Sequence, residues 1–192
     1  MIQTIWHNFI GDMRAIGISP WRFIFFKTAR VSLAVRARVH GGGVVSLLAK
    51  IYLYRHLIEV GRDVRFGKGL KMPHPKNIII ANTAIIGDDV QINQGVTIGG
   101  NFKKSRLVCG QTRKIAIIGN RVTICPNAVI GGPVVIGDSV VVGANSVVTK
   151  DVPENSIVFG QNQIKRIESE TGVQDYLRKK DYTYCANDKT GQ

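Results

Sequence analysis

The sequence has few aromatic residues, few cysteines and few acids. Aromatics make up 7% of its 192 residues, and 13 Asp and Glu face 26 Lys and Arg. It also lacks any run of 18 uncharged apolar residues, which disfavours a membrane-spanning helix. The scarcity of aromatics removes the stacking platform that single-stranded nucleic acids use, so a nucleic-acid partner is not expected.

The three cysteines, Cys109, Cys125 and Cys185, fit no zinc-binding spacing. An odd number also disfavours a disulfide framework, so we expect reduced thiols in a cytoplasmic protein. The first 15 residues contain His7, Asp12 and no long apolar stretch, which does not resemble a secretory signal.

The formal net charge of +13 is the strongest compositional bias. It predicts an anionic partner, such as a phosphate-bearing cofactor, an acidic glycan, a membrane surface or nucleic acid. Charge alone does not choose among them.

An aliphatic or large apolar residue recurs at every sixth position through most of the chain. The period of six matches neither an α-helix nor an alternating strand. It predicts a solenoid in which each hexapeptide forms a short strand and a turn, and three hexapeptides complete one triangular coil. The recurring positions are Val60, Phe66, Met72; Ile80, Ile86, Ile92, Ile98; and Ile118, Ile124, Ile130, Ile136, Val142, Val148.

The period breaks twice, and both breaks suggest functional insertions. Two extra residues lie between Met72 and Ile80, where His74 stands between two prolines. The second break, at 101–114, has no repeat pattern and no acid, and predicts a loop extruded from one corner. Its cations are Lys103, Lys104, Arg106, Arg113 and Lys114.

We therefore predict a helical segment at 1–58, a solenoid at 59–165 and a polar tail at 166–192 with a short helix followed by disorder. Within the first segment, helices are expected from Pro20 to Arg38 and from Val44 to Ile58. This basic segment either caps the first coil and contacts neighbouring subunits, or rests on anionic lipid as a peripheral membrane contact.

The segment 67–100, GKGLKMPHPKNIIIANTAIIGDDVQINQGVTIGG, resembles the hexapeptide-repeat acyltransferases, in the serine acetyltransferase branch. That branch includes surface-polysaccharide O-acetyltransferases. The resemblance extends over about 59–165 and includes the Val-x-x-Asp-Val-Pro ending at 148–153. It implies an all-β left-handed parallel β-helix, a homotrimer with active sites between subunits, and direct acetyl transfer from acetyl-CoA to a hydroxyl.

His74 coincides with the family's catalytic histidine, and imidazole as a group supplies a general base near neutral pH. The alternative is a surface histidine in a proline turn. Counted back from His74, the family's orienting carboxylate falls on Glu59, which would hold the second ring nitrogen. The alternative for Glu59 is a solvated carboxylate.

Six residues are candidate contacts for CoA, of which Ala144 and Lys150 match family positions near the cofactor, and no metal ligand is expected. At the glycines a missing Cβ lets pantetheine approach the backbone, although a turn requirement would also explain them. For the lysine, a solvated charge is the alternative. The six residues are Gly99, Gly100, Gly131, Gly132, Ala144 and Lys150.

The chain departs from serine acetyltransferases around the acceptor. Pro73 replaces the aspartate before the catalytic histidine, no histidine follows His74, and the preceding segment is short. A zwitterionic amino acid needs partners for both charges. We therefore expect a sugar or surface-polysaccharide hydroxyl as the acceptor, with serine O-acetylation for cysteine synthesis and a non-catalytic scaffold as alternatives.

Overall fold

In the computed structural model, residues 2–15, 27–102, 104–108 and 110–167 are described. Three helices come first, and short strands follow them. None of the helices in these ranges is long and apolar enough to cross a membrane. The helices are α1 (Ile2–Ala15), α2 (Lys27–His40) and α3 (Gly43–Tyr54). The strands are β1 (Ile58–Val60), β2 (Arg65–Phe66), β3 (Ile78–Ile80), β4 (Ile85–Ile86), β5 (Gln91–Ile92), β6 (Thr97–Gly99), β7 (Arg106–Val108), β8 (Gln111–Arg113), β9 (Ile117–Ile118), β10 (Thr123–Ile124), β11 (Val129–Gly131), β12 (Val135–Ile136), β13 (Val141–Val142), β14 (Val147–Val148), β15 (Ser156–Phe159) and β16 (Gln163–Arg166).

Fourteen of the described strands form three sheets that wrap around one interior, and β7 and β8 form a separate two-stranded sheet. The first sheet has the order β1-β3-β6-β11-β14, the second β2-β4-β9-β12, and the third β5-β10-β13-β15-β16. Pairing within them is parallel, apart from the final β15–β16 pair. Equivalent residues of successive coils are in register, as in Ile80 beside Ile98 and Ile98 beside Ile130. The predicted left-handed parallel β-helix is confirmed.

The sixth-position residues fill the interior of the coils. Ile80, Ile98, Ile124 and Ile130 are all 0% exposed and belong to one continuous apolar core. Each strand is only two to four residues long. Because so short a strand cannot bury its own side chains, stability depends on the stacking of neighbouring coils.

Backbone amides at the corner between the second and third sheets are bound by side chains of the next coil. Asp88 accepts a hydrogen bond from the Lys68 amide at 2.7 Å, and Asn120 accepts one from the Asp88 amide at 2.9 Å. Asp138 accepts from the Asn120 amide at 2.8 Å, and this bond lowers the pKa of the Asp138 carboxyl. This ladder fixes the spacing of the coils.

The amino-terminal helices differ from the sequence prediction at both ends. Helix α1 lies within the predicted helical segment at 1–58, although no separate helix was predicted there, and the predicted start at Pro20 lies outside the described residues. The prediction of a helix through Ile58 is wrong, because α3 ends at Tyr54. Leu57 takes a left-handed turn with φ 55°, and Ile58 pairs with Ile78 as the first strand residue.

A buried ion pair joins these helices to the first coil. The Asp12 carboxylate of α1 accepts hydrogen bonds from Arg36 Nε at 3.0 Å, Ser32 Oγ at 2.6 Å and the Leu70 amide at 2.8 Å. Arg36 also donates to the Gly67 carbonyl at 2.6 Å. Both charged side chains are 0% exposed, so the partners replace all contact with water.

The extruded loop contains a β-hairpin that the sequence did not predict. Strand β7 pairs antiparallel with β8, and Arg106 forms a 2.7 Å ion pair with Asp151 of the last coil. Arg113 donates to the Thr83 carbonyl at 3.4 Å. The loop is thus attached to the coil stack at both strands.

The coil continues past the Val-x-x-Asp-Val-Pro ending at 148–153, within the solenoid predicted at 59–165. Strand β15 extends the third sheet, and β16 turns back against it. The predicted helix and disorder of the tail lie outside the described residues from 168 onward.

Candidate active site

His74 lies at the corner between the third and first sheets, where the first coil passes into the second. Lys71 before it pairs with Gln91, and Ile78 after it begins β3. Pro75 is buried while His74 is exposed, so the two extra residues displace the imidazole outward. Within the described part of the chain the imidazole forms no hydrogen bond or ion pair, which leaves both ring nitrogens available.

Glu59 lies on the outer face of the first sheet, one coil below. Its Cα is paired with that of Ile79, and its side chain is exposed. No hydrogen bond or ion pair joins Glu59 to His74 among the described residues. The role of Glu59 as the orienting carboxylate therefore stays a prediction, and an exposed side chain is free to take another rotamer.

A cleft of about 730 Å³ opens between the helices and the first sheet, and His74 is not among the residues that line it. Glu59 lines it, as does Asn77, which is three residues from His74. Two cations also line it: Lys50 of α3 and Arg38 of α2. Carboxylate and cationic groups therefore meet in one cleft. From the sequence, Lys50 and Arg38 could be recognised only as cations of a basic segment. Their position in the cleft depends on the packing of the helices.

Four of the predicted CoA residues are glycines at the corner between the first and second sheets. Gly99 and Gly131 end neighbouring paired strands, and Gly100 and Gly132 follow them. A Cβ at Gly99 would meet nothing within 4 Å, and at Gly131 it would make only an ordinary 3.7 Å contact with Thr149. The fold of the single chain therefore does not require glycine at Gly99 or Gly131.

Gly132 is different, because the coil itself requires it. Its φ is +99°, and an added Cβ would lie 2.9 Å from the Cβ of Asn101. The turn explanation is therefore sufficient for Gly132, and Gly99 and Gly131 are the better candidates for close approach by a ligand.

Two clefts beside these glycines are lined by cations. One, of about 460 Å³, is lined by Gly100, Lys104 and Lys114. The other, of about 530 Å³, is lined by Lys104, Thr149 and the predicted Lys150. The hairpin thus places its lysines at the same corner as the glycines, an arrangement suited to phosphate groups.

The sixth predicted residue, Ala144, lies apart from the other five. It follows β13 at the corner that also contains His74, three coils further along the stack. With a coil spacing of about 4.8 Å, the separation along the axis is about 14 Å.

The described residues contain no candidate metal site. They contain no cluster of three or more His, Cys, Asp or Glu side chains that could hold an ion. Cys125 is free, and burial raises the pKa of its thiol, which keeps it in the unreactive neutral form.

Parts of the chain are similar to a known protein family and to serine acetyltransferases. Residues 115–150 match the family described as bacterial transferase hexapeptide (six repeats). The serine acetyltransferase of Helicobacter pylori is 37% identical over 103 residues, which are 54% of this chain and 57% of that protein. Serine acetyltransferase 4 of Arabidopsis thaliana is 38% identical over 103 residues, 27% of its length. The chain thus spans between about a quarter and just over half of these curated relatives.

Solved structures extend the similarity to the helical segment. The soybean serine acetyltransferase apoenzyme has a TM-score of 0.68 and 26% identity, covering 85% of this chain and 69% of that one. The Neisseria gonorrhoeae serine acetyltransferase has a TM-score of 0.64 and 25% identity, covering 82% and 66%.

The predicted sugar or polysaccharide acceptor is contradicted by these relatives, which are serine acetyltransferases. The prediction rested on three departures from the family, namely Pro73, the missing second histidine and the short preceding segment, and the relatives overturn it.

The sixfold repeat and the stacked three-sided coils give the chain the left-handed β-helix fold, and these relatives show that it is similar to hexapeptide-repeat serine acetyltransferases.

Proposed function

We propose that the protein transfers the acetyl group of acetyl-CoA to the hydroxyl of serine, with His74 as the general base. The observation that carries the proposal is the exposed imidazole of His74 on the interruption of the coil. The serine acetyltransferase relatives supply the acceptor.

The proposed reaction is a direct transfer. A His74 ring nitrogen takes the proton of the serine hydroxyl as the hydroxyl oxygen attacks the thioester carbonyl carbon. The resulting tetrahedral intermediate collapses by breaking the carbon–sulfur bond. The sulfur leaves with the proton returned by His74, giving O-acetylserine and CoA. Glu59 would orient the imidazole and stabilise its charged form.

The cleft between the helices and the first sheet is the proposed site for serine. Lys50 and Arg38, which line this cleft, would pair with its carboxylate. Charge-assisted hydrogen bonds of this kind typically contribute about 1.5–3 kcal/mol each.

Acetyl-CoA is proposed to lie along the corner between the first and second sheets. Gly99 and Gly131 would let pantetheine approach the backbone, while Lys104, Lys114 and Lys150 would face the phosphates. Ala144 would contact acetyl-CoA at the corner that contains His74. Because the glycines lie at another corner, this contact requires either a neighbouring subunit or a cofactor that extends from one corner to the other. A homotrimer in the cytoplasm is part of the proposal, since cytosolic thiols such as Cys125 remain reduced.

The acceptor is tested by measuring thiol release from acetyl-CoA with serine, with alanine, which lacks the hydroxyl, and with serine methyl ester, which lacks the carboxylate charge. We expect turnover with serine, none with alanine, and a raised KM with the ester. Absence of turnover with serine would remove the proposed function, and a scaffold role would follow if acetyl-CoA also failed to bind.

Replacing Lys50 with methionine should raise the KM for serine about tenfold or more, because one charged partner of the carboxylate is lost. The KM for acetyl-CoA should not change. Lys68→Met is the matched control, since Lys68 is exposed at the corner between the second and third sheets, where no substrate is proposed. An unchanged serine KM in Lys50→Met would exclude this cleft as the carboxylate site.

Replacing Gly99 with valine should raise the KM for acetyl-CoA about tenfold or more, because the new side chain fills the space proposed for pantetheine. Thermal stability should change little, since the first Cβ meets nothing within 4 Å. Gly43→Val is the control, because a Cβ there also meets nothing but lies in α3. Isothermal titration with CoA measures the effect, and unchanged affinity would reject this position as a CoA contact.

A further inference from the structure

Phe102 is the most exposed large apolar side chain in the part of the chain that the structure describes, at 93%. It stands in a tight turn at the base of the hairpin, where the Lys104 amide donates a hydrogen bond to the Asn101 carbonyl at 2.9 Å. Asn101 in turn packs against Gly132, where an added Cβ would lie 2.9 Å from the Asn101 Cβ. The turn is thus attached to the glycine corner of the coils, while the phenyl ring stays in solvent.

A single exposed apolar side chain is common on protein surfaces and needs no ligand to explain it. The surroundings of Phe102 set it apart. Gly100, Lys104 and Lys114 line the same cleft of about 460 Å³ as Phe102. Lys104 also lines the neighbouring cleft, together with Lys150. A flat aromatic ring and several ammonium groups therefore share the corner at which acetyl-CoA is proposed to bind.

Only one end of acetyl-CoA matches this combination of groups. Its adenine base is flat and aromatic, and phosphates are attached to the ribose that carries the base. Its pantetheine arm is aliphatic and uncharged, with no ring that could stack. Bases stack on exposed aromatic side chains, and ammonium groups pair with phosphates. The chemistry of the cleft therefore favours the nucleotide end of the cofactor over the pantetheine end.

We infer that the adenine base of CoA stacks on the phenyl ring of Phe102, with the phosphates facing Lys104 and Lys114. This inference rests on the proposed function and adds the direction in which the cofactor lies. The nucleotide end is at the turn of the hairpin, and the pantetheine arm runs from there past Gly99 and Gly131. Phe102 thereby distinguishes CoA from acyl carriers that lack adenine.

The test compares the binding of two ligands by isothermal titration: CoA, and phosphopantetheine, which has the same arm but no adenine. Phe102→Ala should weaken the binding of CoA about fivefold or more, because the stacking contact is lost. The same variant should bind phosphopantetheine as the native protein does. Phe102→Trp should bind CoA at least as tightly as the native protein, since a larger ring keeps the contact.

Leu107→Ala is the matched control, because Leu107 is 72% exposed on the same hairpin and lines neither cleft. Native affinity for CoA in this control, with a loss in Phe102→Ala that is confined to CoA, supports the inference. Unchanged affinity for CoA in Phe102→Ala overturns it. Equal losses for both ligands also overturn it, since the ring would then support the site without touching adenine.

The titration needs no acceptor, so it separates this inference from the proposed function. Binding of CoA through Phe102 without acetylation of serine would remove the proposed function and keep the inference. Acetylation of serine by Phe102→Ala with an unchanged KM for acetyl-CoA would keep the proposed function and overturn the inference.

Discussion

Replacing His74 with alanine is expected to lower the rate of serine-dependent thiol release by about 10² to 10⁴. Without the imidazole, the serine hydroxyl must attack while still protonated, and the departing sulfur has no proton donor. His74 is exposed and outside the apolar core, so the coil stack should remain folded. Steady-state kinetics together with circular dichroism measure both effects.

The matched control is His7→Ala, since His7 is an exposed histidine on α1, outside the coils. It should retain native activity. A His74→Ala protein with a rate within a few fold of native would contradict the mechanism. Equal losses in both variants would instead indicate a general effect of histidine removal.

Replacing Asp12 with alanine is expected to lower the free energy of unfolding by about 3–5 kcal/mol. The substitution leaves the Arg36 guanidinium fully buried without its counter-ion, and the Leu70 amide loses its acceptor. The helices should then separate from the first coil, where Arg36 contacts the Phe66 and Gly67 carbonyls. Urea denaturation followed by circular dichroism measures the loss.

The double variant Asp12→Leu/Arg36→Met should recover part of this loss, because apolar side chains can replace a buried ion pair. Arg106→Gln is the comparison at the surface, where the pair with Asp151 is 39% and 50% exposed and should contribute less than about 1 kcal/mol. If Asp12→Ala costs no more than Arg106→Gln, the buried pair does not hold the helices in place.

The coils could be predicted from the sequence because their information is local and periodic. Ile80, Ile92 and Ile98 recur at multiples of six, and a six-residue step returns each to the interior of the next strand. The breaks in the period also identified His74 and the extruded loop, since an interruption is visible without knowing what surrounds it.

The attachment of the helices could not be read in the same way. Asp12 and Arg36 are 24 residues apart, and neither spacing nor composition links them. Helix α1 lacks an acidic first turn, so it carried no clear start signal. Its place became apparent only from the packing against α2 and the first coil.

The candidate site could be predicted only in part, because the position of some of its residues depends on how the helices pack. A family position indicated Glu59, and the missing Cβ indicated the glycine corner, but no sequence argument fixes the rotamer of an exposed glutamate. Lys50 and Arg38 were missed because they enter the cleft from helices whose orientation the repeat does not determine.

The most direct test of the account is identification of the product by NMR after incubation with carbon-13 acetyl-labelled CoA and serine. We predict a labelled ester on the serine hydroxyl in the native protein, and none above background on the same timescale in His74→Ala. Consumption of acetyl-CoA without labelled O-acetylserine, or equal product from both proteins, would contradict it.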